Sequence, residues 1–301
     1  MIELMLWKTT RKWMLMLLVC LLAGCSIDTH LQGAVKVEDP FASDNEQDFT
    51  GLVVSYFALP HGESSLVRLP NGKTMLVDTG AAEDWNTLEA LLAERKCTRI
   101  DYAVITNDQP EHVGGFTQLA ERIHLDTVLF PALIEETVRH VVPIRPDKKV
   151  RPLSAGDELK LDEDVVMTVL HPSEHLFLSP QDNSLVFQIR HGKLRFLFTS
   201  AISERAEERL LEKQSDQLKS EVLKVADQGR NQASSQPFLS KVDPQVAVIL
   251  TGKPRDQMRD SQEEVIERLG ESWAETYVTS QHGTITLLSN GKDYRILKGK
   301  K

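Results

Sequence analysis

The sequence predicts an α/β fold in which sheets and helices stack in layers over a single core. Three observations carry this. Short β-patterned runs and helical runs interleave from Leu52 onward, the element order of a layered α/β sandwich. The same theme is stated twice, in two halves that share no detectable sequence repeat. No stretch within 51–301 has the composition of a linker that would split it, so the folded part is one domain.

Taken in order, Leu52–Phe57, Ser64–Leu69 and Thr74–Val77 are apolar, β-branched runs that read as strands. Pro70-Asn71-Gly72-Lys73 between the last two is a hairpin turn. Asp84–Arg95 places Trp85, Leu88, Leu91 and Leu92 on one helical face. Tyr102–Thr106 is a buried strand, and Gly114-Gly115 lead into a helix at Phe116–Arg122. In the second half Val165–Leu170, Leu185–Arg190 and Leu194–Phe198 are strands, the last two joined across His191-Gly192-Lys193. Glu204–Glu212 is a helix, Leu223–Val225 and Val246–Leu250 are strands, and Gln262–Leu269 is a helix. Thr284–Leu288 and Tyr294–Leu297 form a closing hairpin over Asn290-Gly291. The helix carries Glu204, Arg205, Glu207, Glu208, Arg209, Glu212 and Lys213, and reads as a solvated, salt-bridged face.

The chain ahead of these elements differs in kind. Lys8, Arg11 and Lys12 precede the apolar run Trp13–Leu22, and small Ala23 and Gly24 follow it. A positive end, a short apolar middle and a small-residue exit are the parts of a secretory signal. At ~1.5 Å per residue the run is too short for a ~30 Å hydrocarbon core. Leu22-Ala23-Gly24-Cys25 resembles the lipobox of bacterial lipoproteins, which implies removal of 1–24 and lipidation of Cys25. The alternative is a plain signal with a chance cysteine. Two acyl chains on Cys25 would anchor the protein stably to a membrane, with its domain extracytoplasmic. Residues 25–50 are polar and acidic, with Glu38, Asp39, Asp44, Glu46 and Asp48, and read as a tether.

Composition narrows the function. With 35 Lys and Arg against 44 Asp and Glu the formal charge is −9, and hydrophobic residues make up 41%. Loss of 1–24, with Glu3 against three basic residues, would take it to −11. Nucleic acid is therefore not an expected partner, because phosphate backbones are met by clustered Lys and Arg. Three cysteines, of which Cys20 would leave with the signal, exclude a disulfide scaffold or a Cys-built zinc site.

The order of elements resembles the metallo-β-lactamase fold, an αβ/βα four-layer sandwich. Within it the sequence is most similar to the hydrolase-like domain of ComEC-type competence proteins. Asn71-Gly72-Lys73-Thr74-Met75-Leu76-Val77-Asp78-Thr79-Gly80 resembles that family's second hairpin and the acidic strand end behind its metals. Ile100–Thr106 resembles the strand feeding its metal loop, Val222–Val225 the strand before its His-His-Gly segment, and Gly283-Thr284-Ile285 its C-terminal hairpin. Family chemistry rests on T-H-x-H-x-D-H-x-G-G, whose imidazoles and carboxylate hold two divalent ions that activate water. Here the segment is Thr106-Asn107-Asp108-Gln109-Pro110-Glu111-His112-Val113-Gly114-Gly115. Asn107 and Gln109 stand at histidine positions, Glu111 replaces the aspartate, and His112 is kept. Ala201 stands where a bridging Asp belongs, Asp227-Gln228-Gly229-Arg230 where His-His-Gly-Ser belongs, and Ala58 at an early acidic position. Amides are poor zinc ligands and alanine is none.

The resemblance thus implies a retained scaffold with a degenerate binuclear site: a pseudo-hydrolase that binds a small molecule or an envelope protein, with no cofactor expected. The alternative is an active hydrolase of phosphodiesters or other esters, with one divalent ion held by Glu111, His112 and Asp227. Asp78 is expected to orient the neighbouring loop. Lys224, Arg230, Arg255 and Arg259 are expected on the pocket rim, either receiving an anion or pairing with Asp227, Asp256 and Asp260. His171 and His175 are either recruited ligands or, for His171, part of a Leu-His-Pro scaffold turn. His61 and His282 are expected in exposed loops. Ser64 and Ser65 lack the flanking glycines of a nucleophile elbow.

Overall fold

The computed structural model describes residues 46–230, 232–258 and 260–299, without the side chain of Arg255. The expected signal, Cys25, the start of the tether and Arg259 lie outside them. The first half runs β1 (Leu52–Tyr56), β2 (Ser65–Arg68), β3 (Thr74–Val77), α1 (Trp85–Glu94), β4 (Arg99–Val104), α2 (Pro110–Val113), α3 (Phe116–Arg122), β5 (His124–Pro131), α4 (Glu135–Val141) and β6 (Lys149–Leu153). The second runs β7 (Glu158–Lys160), β8 (Val165–His171), β9 (Val186–His191), β10 (Leu194–Phe198), α5 (Glu204–Gln214), β11 (Val222–Lys224), α6 (Gln236–Val242), β12 (Val246–Ile249), α7 (Asp260–Glu271) and β13 (Glu275–Val278). A short α8 (Thr279–His282) then leads to β14 (Ile285–Ser289) and β15 (Tyr294–Lys298).

Among the described residues the strands form an eight-stranded sheet, β15-β14-β1-β2-β3-β4-β5-β6, and a seven-stranded sheet, β13-β12-β11-β10-β9-β8-β7. Each is built on one plan. An antiparallel meander (β1-β2-β3 or β8-β9-β10) passes into a parallel run (β3 to β6, or β10 to β13). Parallel pairs need crossovers, and the helices supply them. The two halves expected from the sequence are thus the two sheets, except that β14 and β15 return to pair beside β1 in the first.

Burial follows from alternation along the strands. Leu52, Val54, Tyr56, Met75, Phe187 and Phe196 point between the sheets. Trp85, Leu88, Phe116, Leu119 and Val138 pack α1, α3 and α4 on the outer face of the first sheet. Ala206, Leu210, Phe238, Leu239, Val265 and Leu269 pack α5, α6 and α7 on the second. This is a four-layer sandwich, and its expected single-domain α/β class holds.

Four strands had no counterpart in the expectation: β5, β6, β7 and β13. Three are sheet edges whose exposed Lys149, Arg151, Glu158, Lys160 and Glu275 break the apolar pattern, as edge strands tend to. The fourth, β5, runs from charged and polar residues into Val128-Leu129-Phe130, without strict alternation. One helix expectation is corrected in detail: Glu207 is not on the solvated face of α5 but fully buried. Its carboxylate accepts from the backbone N–H groups of Ser234 and, at 2.9 Å, Ser235, capping the start of α6.

Two features tie the layers together. The end of the stretch expected as tether packs on the domain: Phe49 is buried, and Arg95 Nε lies 2.9 Å from Glu46 Oε1. The β9–β10 turn also meets the β14–β15 turn, with Lys193 N donating to Gly291 O at 2.7 Å.

Candidate functional site

The C-terminal ends of β3 and β4 face those of β10 and β11. Asp78 follows β3, Thr106 and Asn107 follow β4, Ser200 and Ala201 follow β10, and Asp227 and Gln228 follow β11. Asp78, Ser200, Asp227 and Gln228 all have positive φ (59°, 50°, 47° and 55°), a conformation costly to non-glycine residues that concentrates at functional sites. The β1–β2 loop closes over this point. Gly62 is obligatory there, because a Cβ would sit 2.2 Å from Glu111 O. Gly114 lets α2 approach equally closely, since its Cβ would lie 2.3 Å from Ala82 N.

A charged cluster is buried at the junction. The Lys224 ammonium, on β11, donates to the Glu63 carboxylate and, at 2.9 Å, to Ser200 O. Glu63 also accepts from Gln228 N at 3.0 Å, and His112 Nε2 lies 4.0 Å from its Oε2. The other ring nitrogen, His112 Nδ1, is 2.7 Å from Asp78 Oδ2. Asp78 accepts as well from Thr106 N at 2.8 Å and Thr106 Oγ1 at 2.7 Å. Ser200 Oγ donates to Thr106 Oγ1 at 2.6 Å, and Asn107 Nδ2 donates to Ser200 Oγ at 3.1 Å. The space left among these groups is about 10 Å³, no more than one water would occupy.

The residues singled out from the sequence fare differently. His112, Asp78, Asn107, Gln228 and Asp227 do converge. Asn107 is fully buried, with its amide spent on Ser184, Ser200 and, through Oδ1, Gln109 N. Gln109 caps α2 through its backbone, and Ala201 is buried beside Ser200. Glu111 enters the cluster through its carbonyl, which accepts from Glu63 N at 2.9 Å. One expectation is corrected: Lys224 is not on a rim but 4% exposed, and its charge is engaged by Glu63. The β1–β2 loop brings this carboxylate, while Ala58 earlier in the loop donates its N–H to Thr284 Oγ1. Arg230 is exposed and lies 3.1 Å from Asp227 Oδ1.

The side chains of the other histidines singled out make their contacts outside the cluster, although His61 O accepts from Gln228 Nε2 at 3.1 Å. His171 Nε2 is 2.7 Å from Asp182 O, His61 Nδ1 is 3.0 Å from Asp84 Oδ1, and His282 Nδ1 stays on the Val278 backbone. His175 is exposed in the loop after β8. Glu63 was missed, yet a signal existed. Lys224 sits in the apolar run Val222–Val225, and a lysine in a buried strand requires a carboxylate partner.

The cluster shifts its own titrations. Burial pushes Asp227 up to about 6; Arg230 opposes this, Glu63 adds to it, and Lys224 and His112 oppose it. Burial acts to lower His112, but the Asp78 carboxylate on Nδ1, helped by Glu63, outweighs it and raises the imidazole above its usual range. Among the described residues no three His, Cys, Asp or Glu side chains are grouped as a metal site. No described helix is long and apolar enough to cross a membrane.

Comparison with known proteins agrees with this geometry. Residues 60–253 match the model of the metallo-beta-lactamase superfamily. The chain is 22% identical over 253 residues to ComE operon protein 3 of Bacillus subtilis (strain 168), covering 77% of this chain and 32% of that protein. It is 27% identical over 224 residues to competence protein ComA of Neisseria gonorrhoeae, covering 74% and 29%. The chain therefore spans about a third of the length of these relatives. Among solved structures, the metallo-beta-lactamase fold protein YhfI from Bacillus subtilis aligns with a TM-score of 0.52 at 13% identity, over 75% of this chain and 96% of that one, which speaks to the fold. By its matched residues, its two sheets and the convergence of its strand ends, the chain belongs to the metallo-beta-lactamase superfamily.

Proposed function

We propose that the protein is a membrane-anchored extracytoplasmic lipoprotein whose metallo-β-lactamase-like domain binds a ligand or an envelope partner and does not hydrolyse through a binuclear metal centre. The observation that carries this is the Lys224 ammonium, buried against Glu63 and the Ser200 carbonyl where the strand ends meet. The groups around it do not fit a metal pair. A fixed cation in a water-poor pocket repels a second one, and the low dielectric strengthens the repulsion. The Asn107 amide is spent on neighbours, and one nitrogen of the single imidazole, His112, is held by Asp78. The cation is supplied by the chain itself, so the carboxylates are neutralised without an imported ion. Cys25 and the apolar run before it support the lipid anchor.

The test is elemental analysis for Zn, Mn and Fe on the purified full chain, with a chromogenic phosphodiester assay after each metal is added back. No stoichiometric metal and no turnover are expected. Stoichiometric metal with turnover that disappears in His112→Ala would instead establish a one-metal hydrolase. Cys25→Ala should move the protein from the membrane to the soluble fraction; persistence at the membrane would refute the anchor.

A further inference from the structure

A second concavity lies away from the buried cluster and shares no residue with it. It occupies about 560 Å³ where β8 ends, between α5 and the segment after β5. Its volume is that of a small-molecule site. The two walls differ in chemistry. On one side α5 presents Arg209 and Lys213, which at i and i+4 share a helix face. Ser154, Ser173 and Gln214 add neutral polar groups, while Leu133 and Pro172 make the opposite wall apolar.

Charge within it runs against the acidic chain. Glu174 is the one carboxylate in the lining, set against Arg209 and Lys213, with His175 beside it. Arg209 is held at the mouth by Phe177, whose ring centre lies 5.8 Å from its guanidinium carbon, and Glu212 is 3.8 Å from its Nε. The Ser173 hydroxyl is buried without a hydrogen-bond partner. Buried polar groups are rarely left unpaired, so an unpaired one in a cavity wall marks where a ligand atom is expected.

We propose that this cavity binds a phosphate monoester, its phosphate on Arg209, Lys213 and Ser173 and its organic part against Leu133 and Pro172. Arg209 and Lys213 outnumber Glu174 in the lining, which favours an anion, and several donors suit three terminal oxygens better than a carboxylate's two. The cavity exceeds a bare phosphate, and the apolar wall takes the remainder. The inference stands whether or not the buried cluster turns over substrate, since the residues are different.

Calorimetric titration of the full chain in detergent with phenyl phosphate tests it. Inorganic phosphate, benzoate and short-chain phosphatidate serve as further probes. Saturable binding of phenyl phosphate is expected, tighter than inorganic phosphate or benzoate by about tenfold, a difference of ~1.4 kcal/mol. Lys213→Ala and Arg209→Gln should each weaken it at least tenfold, Ser173→Ala less, and His112→Ala not at all. Tighter binding of phosphatidate than of phenyl phosphate would assign the phosphate to a lipid headgroup, and the reverse to a soluble ester. No saturable binding at millimolar phenyl phosphate overturns the proposal. So does binding indifferent to Lys213→Ala and Arg209→Gln, or binding lost only in His112→Ala. Lys213 is exposed, so its substitution reads out binding even if Arg209→Gln perturbs folding.

Discussion

The two sheets follow one plan, yet their facing ends differ in charge: the first half brings only carboxylates to the central ion pair, the second an ammonium with the half-buried Asp227 close behind it. The first half delivers carboxylates: Asp78 after β3 and Glu63 from the β1–β2 loop. The second delivers the ammonium of Lys224 on β11, and at the turn after β10 it has the neutral Ser200 where the first has Asp78. Both turns are left-handed, so the backbone kept one geometry while the side-chain chemistry diverged. The contrast teaches that the junction is held by an ion pair reaching from one sheet to the other, with hydroxyls completing the network.

Breaking that pairing is expected to have the largest effect. Lys224→Met leaves Glu63 buried and uncompensated, a loss of about 3–5 kcal/mol in urea unfolding. Lys224→Met with Glu63→Gln should recover much of it, as neither charge is then stranded. A loss in the double variant as large as in the single would argue against the pair as the source.

The halves differ again in their capping carboxylates. Asp84 accepts from the N–H groups of His61, Gly62 and Ala81, and Glu207 from those of Ser234 and Ser235. Burial pushes Glu207 up to about 7 from an ordinary 4.5. Its folded form therefore holds a proton that the unfolded chain has released within this window. Stability from this group falls as pH rises from 4.5 to 7 and is level above, a swing on the order of 3 kcal/mol. Unfolding midpoints for Glu207→Gln should lack that decline; an equal decline in both proteins would place its origin elsewhere.

A smaller contrast compares the two turns directly. Asp78→Asn disturbs charged hydrogen bonds to Thr106 and His112 and should cost about 2–3 kcal/mol, whereas Ser200→Ala removes neutral ones and should cost about 1 kcal/mol. Equal losses would mean that charge is not what distinguishes the turns. The smallest effect belongs to Arg230→Ala. Its partner Asp227 is half-buried but Arg230 is exposed, and the change should stay within about 0.5 kcal/mol.

The architecture was legible because alternation and turn chemistry are local. Thr74–Val77, Phe116–Arg122 and Leu194–Phe198 match their expected bounds, since the two strands are mainly apolar runs between turn residues and the helix follows Gly114-Gly115 with Phe116 and Leu119 as its buried side. Edge strands such as β6 and β13 were not, because one exposed side removes the pattern that identifies a strand. In the site, the substitutions at 107, 109, 201 and 228 were visible as residue types. Where they point was not. The placement of Lys224 depended on Glu63, 161 positions away, and no local pattern links them. The burial of Glu207 was hidden in the same way, by partners supplied from the start of α6.

The return of β14 to the flank of β1 has a consequence for the order in which the chain is delivered. A chain that emerges N-terminus first presents β1 long before its outer partner exists. Until Ile285–Ser289 arrives, the N–H and C=O groups along one side of Leu52–Tyr56 have no strand to pair with. The first sheet cannot be completed until nearly the whole chain has been made, and the β1–β14 pairing is a contact of long sequence separation, the kind that slows folding. A truncation that stops before Gly283 would leave the earliest strand as a sticky edge, which marks this protein for aggregation, rather than simple loss of activity, when its end is cut.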